Sequence, residues 1–425
     1  MLLRQFLCRD GRVLADRDAR LMGVSFPAPG ASPQRVLIYS HDTFGLGHLR
    51  RARAIAHALV AEAPERRVVI LSGSPVSHAF RFAPGVTCRR LPGVTKLASG
   101  EYQSLGPGHG LDEVVATRAA LIRHVAERFD PDLFLVDKEP AGFHGEVLPA
   151  LHRLKARGCR LVLGLRDVLD DPDLLAPEWE RKGALAVLPL YDSLWVYGLE
   201  AIYAPLDGLA LPAGVSGRLT YTGYLRREAP EPEGSEAAAR EPFLLVTPGG
   251  GGDGIELVEA VVRAYEAHPL EHPALVVFGP FFPAAEQADL SARIAAHPRL
   301  SSLGFDARLE RLMRRAAGVV AMGGYNTFCE ILSFDRPSLI LPRVRPRREQ
   351  LIRARAAARL GLVGVIEPGD ADESAADETA RMAEALAALP HRPAPSARPI
   401  PGLLDGLPAI RRLAATADAA CVAAE

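Results

Sequence analysis

The sequence is poor in cysteine: Cys8, Cys88, Cys159, Cys329 and Cys421 are scattered and odd in number. No pair has the spacing of a metal knuckle or a redox motif, so neither a disulfide framework nor a zinc site is expected, and the compartment reads as reducing and cytoplasmic. Lysine is as scarce, standing only at positions 96, 138, 155 and 182, so nearly all basic charge is arginine. With abundant alanine and proline, this points to a GC-rich bacterial genome more than to a function. A net charge of −1 gives no general pull toward nucleic acid or an anionic membrane. No run reaches the roughly 18–20 apolar residues of a membrane span. The first residues, Met1-Leu-Leu-Arg-Gln-Phe-Leu7, are too soon interrupted by charge for a signal peptide. Membrane association is expected to be at most peripheral, at the inner face.

What is present is a globular composition, 48% hydrophobic and 24% charged, over 425 residues. That length exceeds one ordinary core and predicts two domains. Residues 1–34 read as an extension ending in a Pro-rich loop, and 35–227 as a first α/β domain. Residues 228–241, acidic and rich in Pro and Ala, read as a linker. Residues 242–390 form a second α/β domain and 391–425 a tail with a helical pattern. Short apolar runs predict strands at 35–39, 67–71, 132–136, 160–164, 193–197 and 219–224 in the first domain. In the second they fall at 243–247, 274–278, 300–305, 318–322, 337–341 and 362–366. Helical periodicity lies between them, which calls for parallel sheets covered on both faces.

The stretch Gly323-Gly-Tyr-Asn-Thr-Phe-Cys-Glu-Ile-Leu332 follows one such strand. Gly323 and Gly324 allow a sharp bend and close approach of a ligand. A helix opening near Asn326 and Thr327 then offers free N–H groups and the positive end of its dipole, an anion site. Glu330, one turn on, shares a face with Asn326. A carboxylate repels phosphate but accepts from a diol, so the pair describes a diphosphate at the tip and ribose hydroxyls on Glu330. The plain alternative is a βα turn with Glu330 solvated. Gly249, Gly250, Gly251 and Gly252 make a second bend before a helix, without the Lys-Ser/Thr pair of a Walker loop.

In the first domain, Gly45-Leu46-Gly47-His48 places an imidazole at a helix entrance and lacks the third glycine of a dinucleotide fingerprint. Ligands of parallel sheets bind beyond the carboxyl ends of the strands. Glu139 in Asp137-Lys138-Glu139, together with Arg166 and Asp167, stands at such ends, and Lys96 in a turn-rich loop. These are expected to line one side of a cleft; salt-bridged loop rims are the alternative.

Gly-Gly-x-Asn-Thr-x-x-Glu, then Pro337-x-x-x-x-Pro342, then Glu349-Gln350 resembles the donor-binding segment of GT-B glycosyltransferases, in particular the MurG-like, family 28 C-terminal type. The resemblance implies two Rossmann-like α/β domains facing a central cleft. It implies transfer of a sugar from a nucleotide diphosphate sugar to an acceptor hydroxyl or amine, inverting and without metal or other cofactor. UDP is the expected nucleotide, and the enzyme would be of the hexosyltransferase class. Glu330 would bind the ribose, Gln350 the donor sugar, Gly249–Gly252 the diphosphate, and the backbone near Phe305 the base. The Gly45/Gly47 loop would face the acceptor, with His48 as general base and Asp42 orienting it or replacing it. The acceptor, whether glycan, lipid-linked or small molecule, is not readable. A sugar-nucleotide epimerase or hydrolase, or a non-catalytic binding partner, are the alternative functions.

Overall fold

In the computed structural model, residues 35–41, 47–96, 102–104, 110–228, 241–306, 308–367, 369 and 374–422 are described. The expected extension 1–34, Asp42, Gly45 and most of the linker lie outside the described residues.

The first half of the chain supplies β1 (Arg35–Ser40), β2 (Arg67–Ser72), β3 (Val86–Arg90), β4 (Val94–Lys96), β5 (Tyr102–Ser104), β6 (Leu133–Asp137), β7 (Arg160–Arg166), β8 (Ser193–Tyr197) and β9 (Leu219–Tyr221). The second half supplies β10 (Leu244–Thr247), β11 (Ala274–Val277), β12 (Leu300–Leu303), β13 (Gly318–Ala321), β14 (Ser338–Ile340) and β15 (Gly364–Val365). Continuous apolar runs such as Arg35-Val-Leu-Ile-Tyr-Ser40 become central strands because helices cover both faces; five of the six residues of β1 are buried.

One sheet runs in the order β3-β2-β1-β6-β7-β8-β9, the other β12-β11-β10-β13-β14-β15, and β4 pairs with β5 in a hairpin. Every pairing within the two large sheets is parallel. In register, β1 meets β6 from Val36↔Leu133 to Tyr39↔Val136. Likewise β10 meets β13 from Leu244↔Gly318 to Thr247↔Ala321.

Three elements differ from the sequence expectation. Strand β3 and the β4–β5 hairpin were not foreseen; β3 is an edge strand with only Val86 buried, so it carries no apolar run. The expected strand 219–224 stops at Tyr221, because the backbone N–H of Tyr224 donates to the carbonyl of Leu403 in the tail.

The tail lies on the first half. Its Gly406–Val422 helix is held to the Gly47–Glu62 helix by Arg411 and Glu62, at 3.2 Å. Arg160 Nη1 donates to the Leu413 carbonyl at 2.8 Å. The two halves also share one apolar cluster, in which Tyr224 stacks edge-on against Phe328 at 5.1 Å. Full burial of such a side chain contributes about 1.5–3 kcal/mol, so the halves are bound by packing as well as by charge.

Candidate active site between two sheets

Each sheet has one topological switch point, where the chain leaves a strand for opposite sides. In the first sheet it falls between β1 and β6, in the second between β10 and β13. Crevices open at the carboxyl ends of strands at such points, so both are where a ligand site belongs in an α/β sheet. The residues singled out from sequence gather at these two places.

At the first switch point, β1 leads to His41 and, beyond the intervening loop, to the Gly47–Glu62 helix; β6 ends in Asp137. His48 Nδ1 lies 2.5 Å from Asp137 Oδ2. Arg51, one turn further along the helix, donates from Nε to Asp137 Oδ1 at 2.8 Å and from Nη2 to Asp137 Oδ2 at 2.6 Å. The Arg51 Nη2 atom is also 2.8 Å from His48 Nδ1. The contact assigns a proton to Nδ1, donated to Asp137, and Arg51 stands beside the neutral ring with its own hydrogens directed at the same carboxylate. The Nε2 lone pair of His48 is then the free basic site.

Burial pushes the His48 imidazole down to about 4; Asp137 opposes that, and Arg51 and Lys138 reinforce it. His48 is therefore neutral, as a base must be, across the physiological range. Although burial alone would raise it, Arg51 and His48 hold the Asp137 carboxyl far below the usual carboxylate range. The Arg51 guanidinium sits 5.8 Å from the Tyr197 ring and 5.4 Å from the Tyr325 ring. It thus touches His48 and the helix that opens the second switch point.

Next to Asp137, Lys138 has φ +73, a left-handed conformation unusual for a side chain with a Cβ. Such strain clusters at functional sites. Lys138 and Lys182 both lie 3.3 Å from Glu139. Burial lowers the Lys138 ammonium to about 8, against the pull of Glu139.

The second switch point is built of backbone. Gly323 has φ +78, and a Cβ there would lie 2.7 Å from Ile340 Cγ2. Gly249 has φ +92 and faces Thr327, whose Oγ1 is 4.0 Å from the place of its missing Cβ. The Tyr325–Phe334 helix begins at Gly324 with no side-chain cap, and the Ile255–Ala267 helix begins at Gly254 likewise. Their first N–H groups are left for a ligand or solvent. Both bends follow adjacent parallel strands, so both open on the same edge of the sheet. Asp253, just past Gly252, is ion-paired to Arg343. The backbone N–H of Arg343 donates to Gln350 Oε1 at 2.9 Å. At the end of β12, Phe305 is 43% exposed, a free aromatic face on the same edge.

The two places meet. Asn326 Nδ2 donates to the Gly47 carbonyl at 2.9 Å, and Arg227 Nη2 donates to Asn326 Oδ1 at 2.6 Å. Asp167 is fully buried: Arg353 grips it through Nε at 2.7 Å and Nη2 at 2.6 Å, and the Tyr224 hydroxyl donates to it at 2.8 Å. The arginine loop before Gln350 also crosses, with Arg347 on Glu178 at 2.8 Å and on Asp170 at 3.3 Å. Glu330 is fully buried, and its Oε1 is 2.5 Å from Arg50 Nη2. That contact is an ion pair without hydrogen-bond alignment, so neither carboxylate oxygen has a directed donor. Arg50 is shared with Glu310, also at 2.5 Å.

The expected residues therefore divide. His48 and Gly47 stand at the first switch point; Gly249–Gly252, Gly323, Gly324, Asn326 and Thr327 at the second, with Gln350 near the latter. Asp167, Asn326 and Glu330 are engaged in contacts between the halves. Glu139 is held by lysines, Arg166 ends β7, and Lys96 lies on β4, where only its backbone is described. The partner of His48 is Asp137, which sequence reading placed only among strand-end charges. Its position as the last residue of the strand beside β1 was the available signal. Arg51, to which no role was given from sequence, is 1% exposed.

No family model matches the chain, and no curated protein matches it in sequence. Solved structures match it in three dimensions. One described as the glycotransferase of kitacinnamycin aligns with a TM-score of 0.57 at 17% identity, over 91% of this chain and 96% of that one. A UDP-glucosyltransferase from Polygonum tinctorium aligns with a TM-score of 0.59 at 15% identity, over 92% and 100%. UGT2 of Phytolacca americana aligns at 0.54 and 14% identity, over 91% and 95%. The fold is the GT-B glycosyltransferase fold, two Rossmann-like α/β halves, as the motif resemblance implied.

Proposed function

We propose that this protein transfers a sugar from a nucleotide diphosphate sugar, UDP-linked, to an acceptor hydroxyl or amine with inversion. The observation that carries the proposal is the meeting of a half-buried His48–Asp137 pair with two uncapped, glycine-bent helix starts. His48 Nε2 takes the acceptor proton as the acceptor oxygen or nitrogen bonds to the anomeric carbon. The bond to the diphosphate breaks as the new bond forms, and its charge falls on the backbone amides after Gly249 and Gly324. Asp137 fixes the tautomer and stabilises the imidazolium that forms.

Phe305 offers a face to the base, and Gln350 meets the donor sugar. The ribose diol takes the place that Arg50 occupies on Glu330, and Arg50 retains Glu310 as its other partner. The route needs no metal in this reading. Of the Asp-x-Asp triplets among the described residues, Asp130–Asp132 faces Arg35 at the start of a strand, away from the carboxyl edge. Asp171–Asp173 caps its own helix.

Among the described residues no helix is long and apolar enough to cross a membrane. Association with a membrane, in this reading, is peripheral at most.

The test is a thermal-shift screen against UDP-, dTDP- and GDP-sugars, followed by acceptor trials. A ligand selective for the folded state raises apparent stability. UDP-sugars should raise the melting temperature most; no shift with any of the three would remove the proposal. An epimerase or hydrolase on the same scaffold would convert the nucleotide sugar with no acceptor present. Binding without turnover across a broad acceptor panel would favour a non-catalytic partner, which the His48–Asp137 pair argues against.

A further inference from the structure

The arginines around the crevice are nearly all spoken for. Arg50, Arg51, Arg343, Arg347, Arg348 and Arg353 each have a carboxylate within 3.3 Å. Arg166, the last residue of β7, is the exception. It makes no hydrogen bond and no ion pair among the described residues, and its Nε is buried without a partner. Its electrostatic neighbours are Glu349, Arg51, Arg353 and Asp167, and Lys138 feels it in turn.

Asp167 is already saturated by Arg353 and Tyr224. Glu349 is half satisfied: Oε1 accepts from Arg343 Nη2 at 2.7 Å, while Oε2 is buried with no partner. An orphan guanidinium nitrogen and an orphan carboxylate oxygen thus belong to electrostatic neighbours, and no ion pair joins them. Glu349 adjoins Gln350, and Arg51 contacts Asp137, so the electrostatic neighbours of Arg166 belong to both switch points. Burial lowers the Arg166 guanidinium to about 10, which leaves it charged at neutral pH. Arg166 is half-buried, with Nε enclosed and unpartnered, so an anion reaching it would gain a charge-assisted contact that no carboxylate of the chain supplies.

Resting on the sugar-transfer reading above, we propose that Arg166 and Glu349 form a subsite for an anionic sugar. Arg166 takes a carboxylate or phosphate oxygen, and Glu349 Oε2 accepts from a neighbouring hydroxyl. A carboxylate or phosphate ligand makes the charge-assisted, forked contact that arginine geometry suits. A hydroxyl alone would satisfy Glu349 and leave the cation bare. The sugar belongs either to the donor or to the acceptor, and the chemistry of the subsite is the same in both.

Calorimetric titration of the full chain and of Arg166→Gln separates these cases. The donor arm compares UDP-glucuronate with UDP-glucose. The acceptor arm compares glucuronate and glucose 6-phosphate with glucose, with and without saturating UDP. The wild type should bind the anionic probe at least tenfold more tightly in one arm, and Arg166→Gln should lose that preference. Arg166→Lys, which keeps the charge without the fork, should recover part of it and guards against a folding defect. A preference in the donor arm assigns the anion to the donor, one in the acceptor arm to the acceptor. Equal binding of charged and neutral probes in both arms overturns the subsite, as does a preference that Arg166→Gln leaves intact. UDP alone is the separate check on the nucleotide cleft. If it fails to bind while glucuronate is still discriminated without UDP, the sugar-transfer reading falls and the subsite stands.

Discussion

The two switch points use opposite materials for a shared task. The one between β1 and β6 is made of side chains: His48, Asp137, Arg51, Lys138 and Glu139, most of them buried and paired. The one between β10 and β13 is made of backbone, with glycine bends and helix starts that have no side-chain cap. Backbone amides suit a group whose chemistry never varies, such as a diphosphate, because they present fixed dipoles and nothing else. Side chains suit proton transfer and selection, because their pKa values answer to neighbours. A substitution on the first side should therefore change chemistry, and one on the second should change binding or backbone strain.

The largest expected effect is His48→Ala. Loss of a positioned general base costs typically 10²–10⁴ in rate, so turnover should fall at least tenfold with nucleotide affinity nearly intact. The opposite pattern, weaker nucleotide binding at normal turnover, would place His48 on the donor side and break the comparison. Asp137→Asn should also cut kcat, and it strands Arg51 in the interior. Leaving one member of a buried pair uncompensated costs about 3–5 kcal/mol, so its melting temperature must be followed beside the rate. A variant as stable and as active as wild type would show that the 2.5 Å contact does nothing for the base.

On the backbone side, Gly323 and Gly324 give a paired test. Gly323→Ala meets a left-handed φ and Ile340 Cγ2, and should lose about 1–3 kcal/mol of stability. Gly324 has φ −57 and open space where a Cβ would stand. Gly324→Ala should fold normally and weaken UDP binding by crowding the amides. If both glycines tolerate alanine in stability and in UDP affinity, the bend is an ordinary turn.

How much of this was legible in the sequence follows from how far apart the cooperating residues lie. Buried central strands announce themselves as apolar runs, and glycine bends as glycines, because both signals are local. The edge strand β3 buries too little for such a run. Asp137 lies 89 residues from His48, and Asp167 lies 186 from Arg353. Nothing local marks such partners; only the strand order brings them together. Arg51 went unmarked for the same reason, since nothing in an arginine on a helix announces burial until the facing carboxylate is placed. Glu330 was read as a carboxylate sharing a helix face with Asn326, but the Arg50 and Glu310 side chains that share its surroundings were not legible.

Glu330 is the exception that sharpens the comparison, a buried titrating side chain on the backbone side. Burial raises its carboxyl to about 7; Arg50 lowers it and Glu310 adds to the rise. An ordinary glutamate titrates near 4.3, so the folded chain binds this proton more tightly than the unfolded one. Its contribution to stability is fully present below about pH 4.5 and is lost as pH rises through about 7. Glu330→Gln keeps the shape and cannot ionise. The stability of the variant relative to wild type should therefore climb between pH 5 and pH 8, by an amount on the order of 1–3 kcal/mol, and its melting temperature with it. The depressed imidazole of His48 acts in the opposite sense, adding stability as pH rises from about 4 toward 6.5, and that of His41, pushed well below its ordinary value by burial, acts the same way, but both proteins share them and the difference cancels. Parallel melting curves at pH 5, 6, 7 and 8 would mean that Arg50 holds Glu330 ionised throughout. The ribose would then have to compete with a full ion pair, and the Glu330 side chain would count as a clasp between the halves rather than as a ligand for the donor.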